Sequence, residues 1–235
     1  MTGPQVLELM GPSGIGKTTI GRLAAGRAAD GVEFRLKPAS DADARGDEVW
    51  RLSDLVRAIW HDPRLARRAL WVAICHGRPF LRRLRKAVRL MRYPLDLERW
   101  RRATAAHTLV LDEGFLQKLW ALVVESERLR ATATLEKLLA DHYRRSGVRG
   151  VLLDAGETLV SERVFARTTR GRFSRDSGAA LRDAYPRWVA QHGTLVALLP
   201  EGTLTDTVDT RSGAEAAAAQ LCRIVEQPRT PGARA

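Results

Sequence analysis

One stretch of sequence decides the fold: Gly11-Pro12-Ser13-Gly14-Ile15-Gly16-Lys17-Thr18, directly after the apolar run Val6-Leu7-Glu8-Leu9-Met10. The apolar run predicts a short buried strand, and residues 19–25 predict a helix. A strand that enters a glycine-rich turn and leaves as a helix can point several backbone N–H groups into one concavity. Such a concavity at a helix N-terminus favours an anion.

The residue types in this stretch fit G-x-x-x-x-G-K-[ST], the pattern of a phosphate-binding loop or P-loop. In that pattern the ammonium of Lys17 reaches the β- and γ-phosphates, and the hydroxyl of Thr18 ligates Mg²⁺. A chance glycine-rich turn is the alternative, and the flanking strand and helix disfavour it. The motif predicts that a nucleoside triphosphate is held by Gly11, Ser13, Gly14, Ile15, Gly16, Lys17, Thr18 and Thr19.

Composition narrows the classes of partner. The chain has 235 residues and a net charge of +12, from 39 Lys and Arg against 27 Asp and Glu. This surplus favours anionic partners such as phosphorylated metabolites, nucleic acid or an acidic membrane face. The two cysteines have neither disulfide nor zinc spacing. No signal peptide is recognisable, and no apolar stretch reaches the roughly 20 residues of a membrane span, so a cytoplasmic location is expected.

The order of predicted elements indicates the fold class. Strands are predicted over 32–38, 107–114, 150–155 and 194–199, after the first strand, with helices between them. This alternation is typical of a three-layer αβα fold with a five-stranded, mostly parallel sheet. We expect one domain over 1–235, with a helical insertion at about 45–106 and a flexible tail at about 227–235.

The insertion carries much of the positive charge. We predict a helix from about residue 79 that ends at Pro94, and a separate short helix over 95–105. Three interpretations stay open for this region: a binding site for an anionic acceptor, a surface for nucleic acid or an anionic membrane, and a scaffold packed on Trp60, Trp71 or Trp100. The basic face of the first helix consists of Arg82, Arg83, Arg85, Lys86, Arg89 and Arg92.

Two adjacent carboxylates, Asp112 and Glu113, lie at the end of the predicted strand over 107–114. In P-loop enzymes an acidic residue at this position holds Mg²⁺ directly or through water, which suits Asp112. Glu113 would then orient the acceptor or a water, because neighbouring side chains point in opposite directions. An N-cap pair for the next helix is the alternative, and the division of roles between the two stays open. Arg35 and Lys37, at the end of the second strand, are either acceptor contacts or solvated residues.

A second charged segment lies after the strand at 150–155. Several arginines near transferring phosphates can stabilise the charge on the equatorial oxygens, and a segment that closes over the donor excludes water. A solvated arginine-rich helix end is the alternative. The sequence therefore predicts a lid at about 163–176 that contributes Arg163, Arg167, Arg170 and Arg172.

At these motifs the chain resembles the thymidylate kinase and nucleoside/nucleotide kinase group. Arg167-Thr168-Thr169-Arg170-Gly171-Arg172 is similar to the R-x-x-R-x-R lid of deoxynucleoside kinases. The resemblance covers about 3–38 and 107–226 and leaves out the insertion. It implies a P-loop kinase fold, ATP with Mg²⁺ as the phosphoryl donor and arginines that close over ATP. It also implies that the loop Pro200-Glu201-Gly202-Thr203 lies against the adenine.

The chain departs from that group where the acceptor binds. Thymidylate kinases usually have Asp-Arg-Tyr after the third strand, where this chain has Asp112-Glu113-Gly114. The Glu-Pro element of deoxynucleoside kinases is replaced by Leu36-Lys37-Pro38. The sequence thus predicts a small-molecule kinase that transfers the γ-phosphate of Mg-ATP to an undetermined, anionic acceptor. The alternative is a P-loop NTPase whose basic insertion binds nucleic acid or an anionic membrane. The oligomeric state is open, with a homodimer as one option.

Overall fold

The computed structural model describes residues 4–36, 52–76, 80–124, 126–155 and 178–226. Five strands form one sheet in the order β2-β3-β1-β4-β5, and every neighbouring pair is parallel. The strands are β1 (Gln5–Met10), β2 (Val32–Arg35), β3 (Thr108–Leu111), β4 (Arg149–Asp154) and β5 (Leu204–Asp209).

Eight helices are described around this sheet. Their bounds are α1 (Lys17–Ala25), α2 (Leu52–His61), α3 (Pro63–Cys75), α4 (Phe80–Ala103), α5 (Phe115–Val123), α6 (Thr132–Ser146), α7 (Gly178–Ala197) and α8 (Ala214–Glu226). Helices α1 and α8 pack against each other, while α5 packs against α4 and α7.

The central strands explain the layering. Residues 6–10 of β1 and all of β3 are buried. Because successive side chains of a strand point to opposite faces, burial of consecutive residues requires cover on both faces of the sheet. The predicted three-layer αβα fold with a five-stranded parallel sheet is therefore confirmed. In this order β1, which leads into the glycine-rich turn, lies beside β3, which leads into Asp112.

The insertion differs from the prediction at Pro94. Helix α4 runs without interruption from Phe80 to Ala103 with Pro94 inside it, so the expected helix end and the separate helix over 95–105 are wrong. A proline inside a helix removes one backbone hydrogen bond and crowds the preceding turn. Here Leu90, Met91 and Leu97 on both sides of Pro94 are buried, and their packing outweighs that cost.

The structure bears on two details of the interpretations that were left open for the insertion. Arg83 does not lie on a solvated face, because only 1% of it is exposed and its Nη1 donates to the carbonyl of Leu122 at 2.9 Å. Trp60 and Trp71 do not pack under α4, since they are 82% and 52% exposed. Trp100 is partly buried and meets Tyr93 edge to face, with the ring centroids 6.1 Å apart.

The last strand is also displaced from its predicted position. Residues 194–197 continue α7, and the fifth strand is Leu204–Asp209. The apolar run at 194–199 is too short to separate helical from extended periodicity, and the true strand is polar because it is the edge of the sheet. The loop at 200–203 precedes β5 and lies at the amino end of the strands, opposite the glycine-rich turn. Its predicted position against an adenine is therefore wrong.

Several predictions fall outside the described residues. They are Lys37, the arginines of the predicted lid and the tail. The extent of the single domain stays a prediction. Among the helices that the structure describes, none combines the length and apolar character that a bilayer crossing requires.

One close approach fixes the turn that follows β3. Glu8, in the middle of β1, is fully buried, and its Oε1 accepts a hydrogen bond from the backbone N–H of Leu116 at 2.9 Å. The carboxyl packs so closely on Gly114 that a Cβ there would lie 1.9 Å from Glu8 Cδ. Gly114 has φ −94°, which any residue can adopt, so the need for glycine here is one of space.

We expect Gly114→Ala to destabilise the protein by about 3 kcal/mol, because the new methyl overlaps a buried carboxyl that is held on two sides. Gly193→Ala in α7 is the matched control. No atom lies within 4 Å of a Cβ at Gly193, and alanine in a helix should stabilise by roughly 0.5–1 kcal/mol. Urea denaturation of both variants measures the difference, and a Gly114→Ala variant as stable as the wild type would contradict the packing described.

Candidate active site

The backbone of the glycine-rich turn opens the N-terminus of α1. Gly14 and Gly16 have φ of 92° and 101°, values that a side chain would strain. Gly16 is the N-cap residue, and no side chain caps the helix there. The first helical hydrogen bond joins the N–H of Ile20 to the carbonyl of Gly16 at 2.9 Å. The preceding N–H groups of Lys17, Thr18 and Thr19 are therefore available to an anion at the positive end of the helix.

The side chain of Lys17 folds over the same turn. Its Nζ donates to the carbonyls of Gly11 and Pro12 at 2.5 and 3.2 Å. Burial lowers the pKa of Lys17 to about 8, against the opposing attraction of Asp112, Glu113 and Glu8. An ammonium whose partners are neutral carbonyls would gain from an anionic ligand, because it would then pair with an opposite charge.

Asp112 connects the end of β3 to the start of α1 through a hydrogen bond. The hydroxyl of Thr18 donates to Asp112 Oδ2 at 2.8 Å, although the two residues are 94 positions apart. Asp112 is only 4% exposed. A hydroxyl and a carboxylate are hard oxygen donors of the kind that Mg²⁺ accepts. The described residues contain no group of three or more His, Cys, Asp and Glu that could hold a metal.

Glu113 and Arg35 lie at the margin of this contact. The Glu113 side chain is 39% exposed, and its Oε2 lies 4.0 Å from Lys118 Nζ. It thus faces a more open environment than Asp112, as the alternation of side chains predicts. Arg35, at the end of β2, forms an ion pair with Glu33 of the same strand, with Nε and Oε1 2.7 Å apart.

Tyr185 supports the turn from α7, and sequence reasoning missed it. Its hydroxyl donates to the carbonyl of Ser13 at 2.6 Å, and its ring is fully buried against Trp188. His192 lies about two turns further along α7. Burial, with the charge of Lys17, lowers its pKa to about 3, so its imidazole is neutral. No sequence pattern marks either residue, because α7 is distant in the chain and has no motif.

Glu8 is the other residue that sequence reasoning missed. Its Oε2 accepts a hydrogen bond from the hydroxyl of Tyr143 at 2.7 Å, and its Oε1 caps the start of α5. Burial raises the pKa of Glu8 to about 7, even though these hydrogen bonds lower it. The signal was present in the sequence, since Glu8 is the one charged residue in an apolar run that predicts a strand buried on both faces.

The structure thus brings together three of the predicted site residues, Lys17, Thr18 and Asp112, around the turn at 11–16. Glu113 lies beside them, and Ile15 is buried beneath the turn, whereas the Thr19 side chain is exposed. The predicted lid residues Arg163, Arg167, Arg170 and Arg172 lie outside the described residues.

No protein-family model and no curated protein matches this sequence. Among solved structures, the chain is similar to a gluconokinase from Sinorhizobium meliloti 1021. The identity is 19%, the match covers 96% of each chain, and the TM-score is 0.36.

The buried carboxyl of Glu8 predicts a pH dependence of stability. Its pKa is about 7 when folded and about 4.3 in an unfolded chain, so folding favours the protonated form. The stabilisation from protonated Glu8 is complete below about pH 4 and is lost as the pH rises through 7. Relative to the wild type, Glu8→Gln should therefore gain on the order of 3 kcal/mol between pH 5 and 8.

Urea denaturation at pH 5, 6, 7 and 8 measures this difference. Glu201→Gln is the control, because Glu201 is exposed and its replacement should leave the pH profile parallel to that of the wild type. If the Glu8→Gln and wild-type stabilities stay parallel over this range, the buried carboxyl does not titrate as described.

Proposed function

We propose that the chain is an ATP-dependent kinase that transfers the γ-phosphate of Mg-ATP to an anionic small-molecule acceptor. The observation that carries the proposal is the hydrogen bond between Thr18 and Asp112. It joins the anion-binding turn to the acidic end of the neighbouring strand, and phosphoryl transfer needs both in one place.

Binding of the phosphates rests on the backbone of the turn. The N–H groups at the start of α1 would donate to the phosphate oxygens, and Tyr185 holds the turn in shape through the carbonyl of Ser13. Lys17 would exchange its two carbonyl partners for phosphate oxygens. Its positive charge would then oppose the negative charge that develops on the transferred group.

The donor set fits a magnesium ion. Thr18 and Asp112 would hold it, either directly or through water. Held there, the ion would supply positive charge that partly neutralises the phosphates. The imidazole of His192, which is neutral because burial and the charge of Lys17 lower its pKa, adds no further positive charge.

The acceptor would approach from the exposed side of the carboxylate pair. Glu113 is placed to orient the acceptor hydroxyl or to take its proton, because its side chain is partly open while Asp112 is committed to Thr18. The predicted lid over 163–176 would stabilise the transferring group, a role that rests on the sequence alone. The positive net charge supports an anionic acceptor.

The proposal is tested by acceptor-dependent release of ADP. The purified full chain is incubated with Mg-ATP and with separate pools of nucleosides, nucleotides, sugars and phosphorylated or carboxylated metabolites. We expect little ADP without an acceptor and a rise with one pool, because a kinase site protects its donor from water. Lys17→Ala should lower that turnover at least 100-fold, whereas Lys137→Ala on the exposed side of α6 should leave it unchanged.

Two results would contradict the proposal. One is full turnover by Lys17→Ala. The other is ATP hydrolysis that needs no acceptor and is stimulated by nucleic acid, which would identify an NTPase of the alternative class. Arg170→Ala with Arg172→Ala tests the predicted lid separately, since unchanged turnover in that variant would remove only the lid from the proposal.

A further inference from the structure

Exposed apolar side chains are concentrated on two helices of the insertion. Six large apolar side chains are exposed in the described part of the chain, and five of them lie on α2 and α3. Their exposed fractions are high for residues of this size: Val56 47%, Ile59 37%, Trp60 82%, Trp71 52% and Ile74 55%. Single exposed apolar residues are ordinary, but a cluster of this kind marks a contact surface.

The packing of α2 and α3 directs these side chains outward. The helices contact each other, and both contact α4. Asp62 is the only residue between them, and its side chain caps α3 by accepting from the N–H of Leu65 at 2.8 Å. The sides toward the core carry Ala58, Ala69 and Val72, each no more than 1% exposed. The outer sides of the two helices therefore both face away from α4.

The exposed charges that α2 and α3 carry at the described positions 55–76 are basic, while the nearby carboxylates belong to neighbouring helices, with Glu98 of α4 paired to His61 and Asp141 of α6 paired to Arg68. Between residues 55 and 76, the other exposed positions are Arg57, His61, Pro63, Arg64 and Arg67. No exposed carboxylate lies in that range, since Asp62 is partly buried and pairs with Arg145 at 3.3 Å. We use the name α2–α3 outer face for the exposed side chains Val56, Arg57, Ile59, Trp60, Arg64, Arg67, Trp71 and Ile74. Of these, Arg67, Trp71 and Ile74 also line a cavity with Thr134 and Lys137 of α6.

We propose that the α2–α3 outer face docks on an anionic phospholipid membrane. Tryptophan side chains favour the boundary between headgroups and acyl chains, which suits Trp60 and Trp71. Aliphatic side chains gain by entering the same boundary when the helix lies in its plane. Arginines beside them are attracted to anionic headgroups, and the described positions 55–76 add no exposed carboxylate of their own to oppose that attraction.

Other occupants fit the α2–α3 outer face less well. A second copy of the chain would bring the arginines of both copies together, and like charges across an interface are costly. Nucleic acid would engage the arginines and stack on the tryptophans. Nucleic acid would not, however, provide an apolar environment for Val56, Ile59 and Ile74, whose exposure is the unusual feature.

Vesicle sedimentation with the full chain tests the proposal. We expect the wild type to bind vesicles of phosphatidylcholine with 30% phosphatidylglycerol and to bind pure phosphatidylcholine much more weakly. Arg57→Gln with Arg64→Gln and Arg67→Gln should weaken binding about 100-fold, at roughly fivefold for each arginine. The charge-matched control replaces Arg149, Arg187 and Arg223, which are exposed elsewhere, and should bind like the wild type.

A second variant tests the contribution of the exposed tryptophans to membrane binding separately from that of the arginines. Trp60→Ser with Trp71→Ser should reduce vesicle binding by at least tenfold and remove most of the quenching of tryptophan fluorescence by brominated acyl chains. Both side chains are exposed, so thermal denaturation should show an unchanged fold.

Three results would overturn the proposal. The first is no binding of the wild type to anionic vesicles, as expected if another part of this chain covers the face. The second is a wild-type dimer in light scattering that the tryptophan variant dissociates, without vesicle binding. The third is loss of binding to a single-stranded oligonucleotide in these variants, while vesicles bind neither them nor the wild type.

Discussion

The arrangement of the site depends on one buried carboxyl, that of Glu8. It links three elements that are far apart in sequence, because it caps the start of α5, accepts from Tyr143 on α6 and packs against the glycine that follows Glu113. This contact fixes the turn after β3 and so holds Asp112 within reach of Thr18. Burial disfavours the charged form of this carboxyl, which is why the pKa of Glu8 rises to about 7.

The fold was largely predictable from the sequence. The apolar run before the glycine-rich turn and the apolar run before Asp112 both predicted central strands, and the structure places them side by side. Their signals are strong because central parallel strands are apolar on both faces. The residues that meet at the turn were predictable for the same reason, since the motif specifies Lys17 and Thr18, and strand order brings in Asp112.

Other features could not be predicted because tertiary packing decides them. Pro94 stays inside a helix because its neighbours are buried, and the edge strand β5 is too polar to be recognised beside the apolar end of α7. Tyr185 reaches the turn from 172 residues away, and no local pattern encodes that contact. The exposure of Trp60 and Trp71 was likewise contrary to expectation, since large aromatic residues usually predict a core.

Calorimetric titration of ATP with and without Mg²⁺ tests whether Thr18 and Asp112 form the metal side of a nucleotide site. Mg²⁺ should raise the ATP affinity of the wild type by about tenfold or more, and Asp112→Asn should lose most of that gain. Binding without Mg²⁺ should persist in this variant, because the turn and Lys17 are intact. An equal gain in the variant, or no ATP binding by the wild type, would contradict the account.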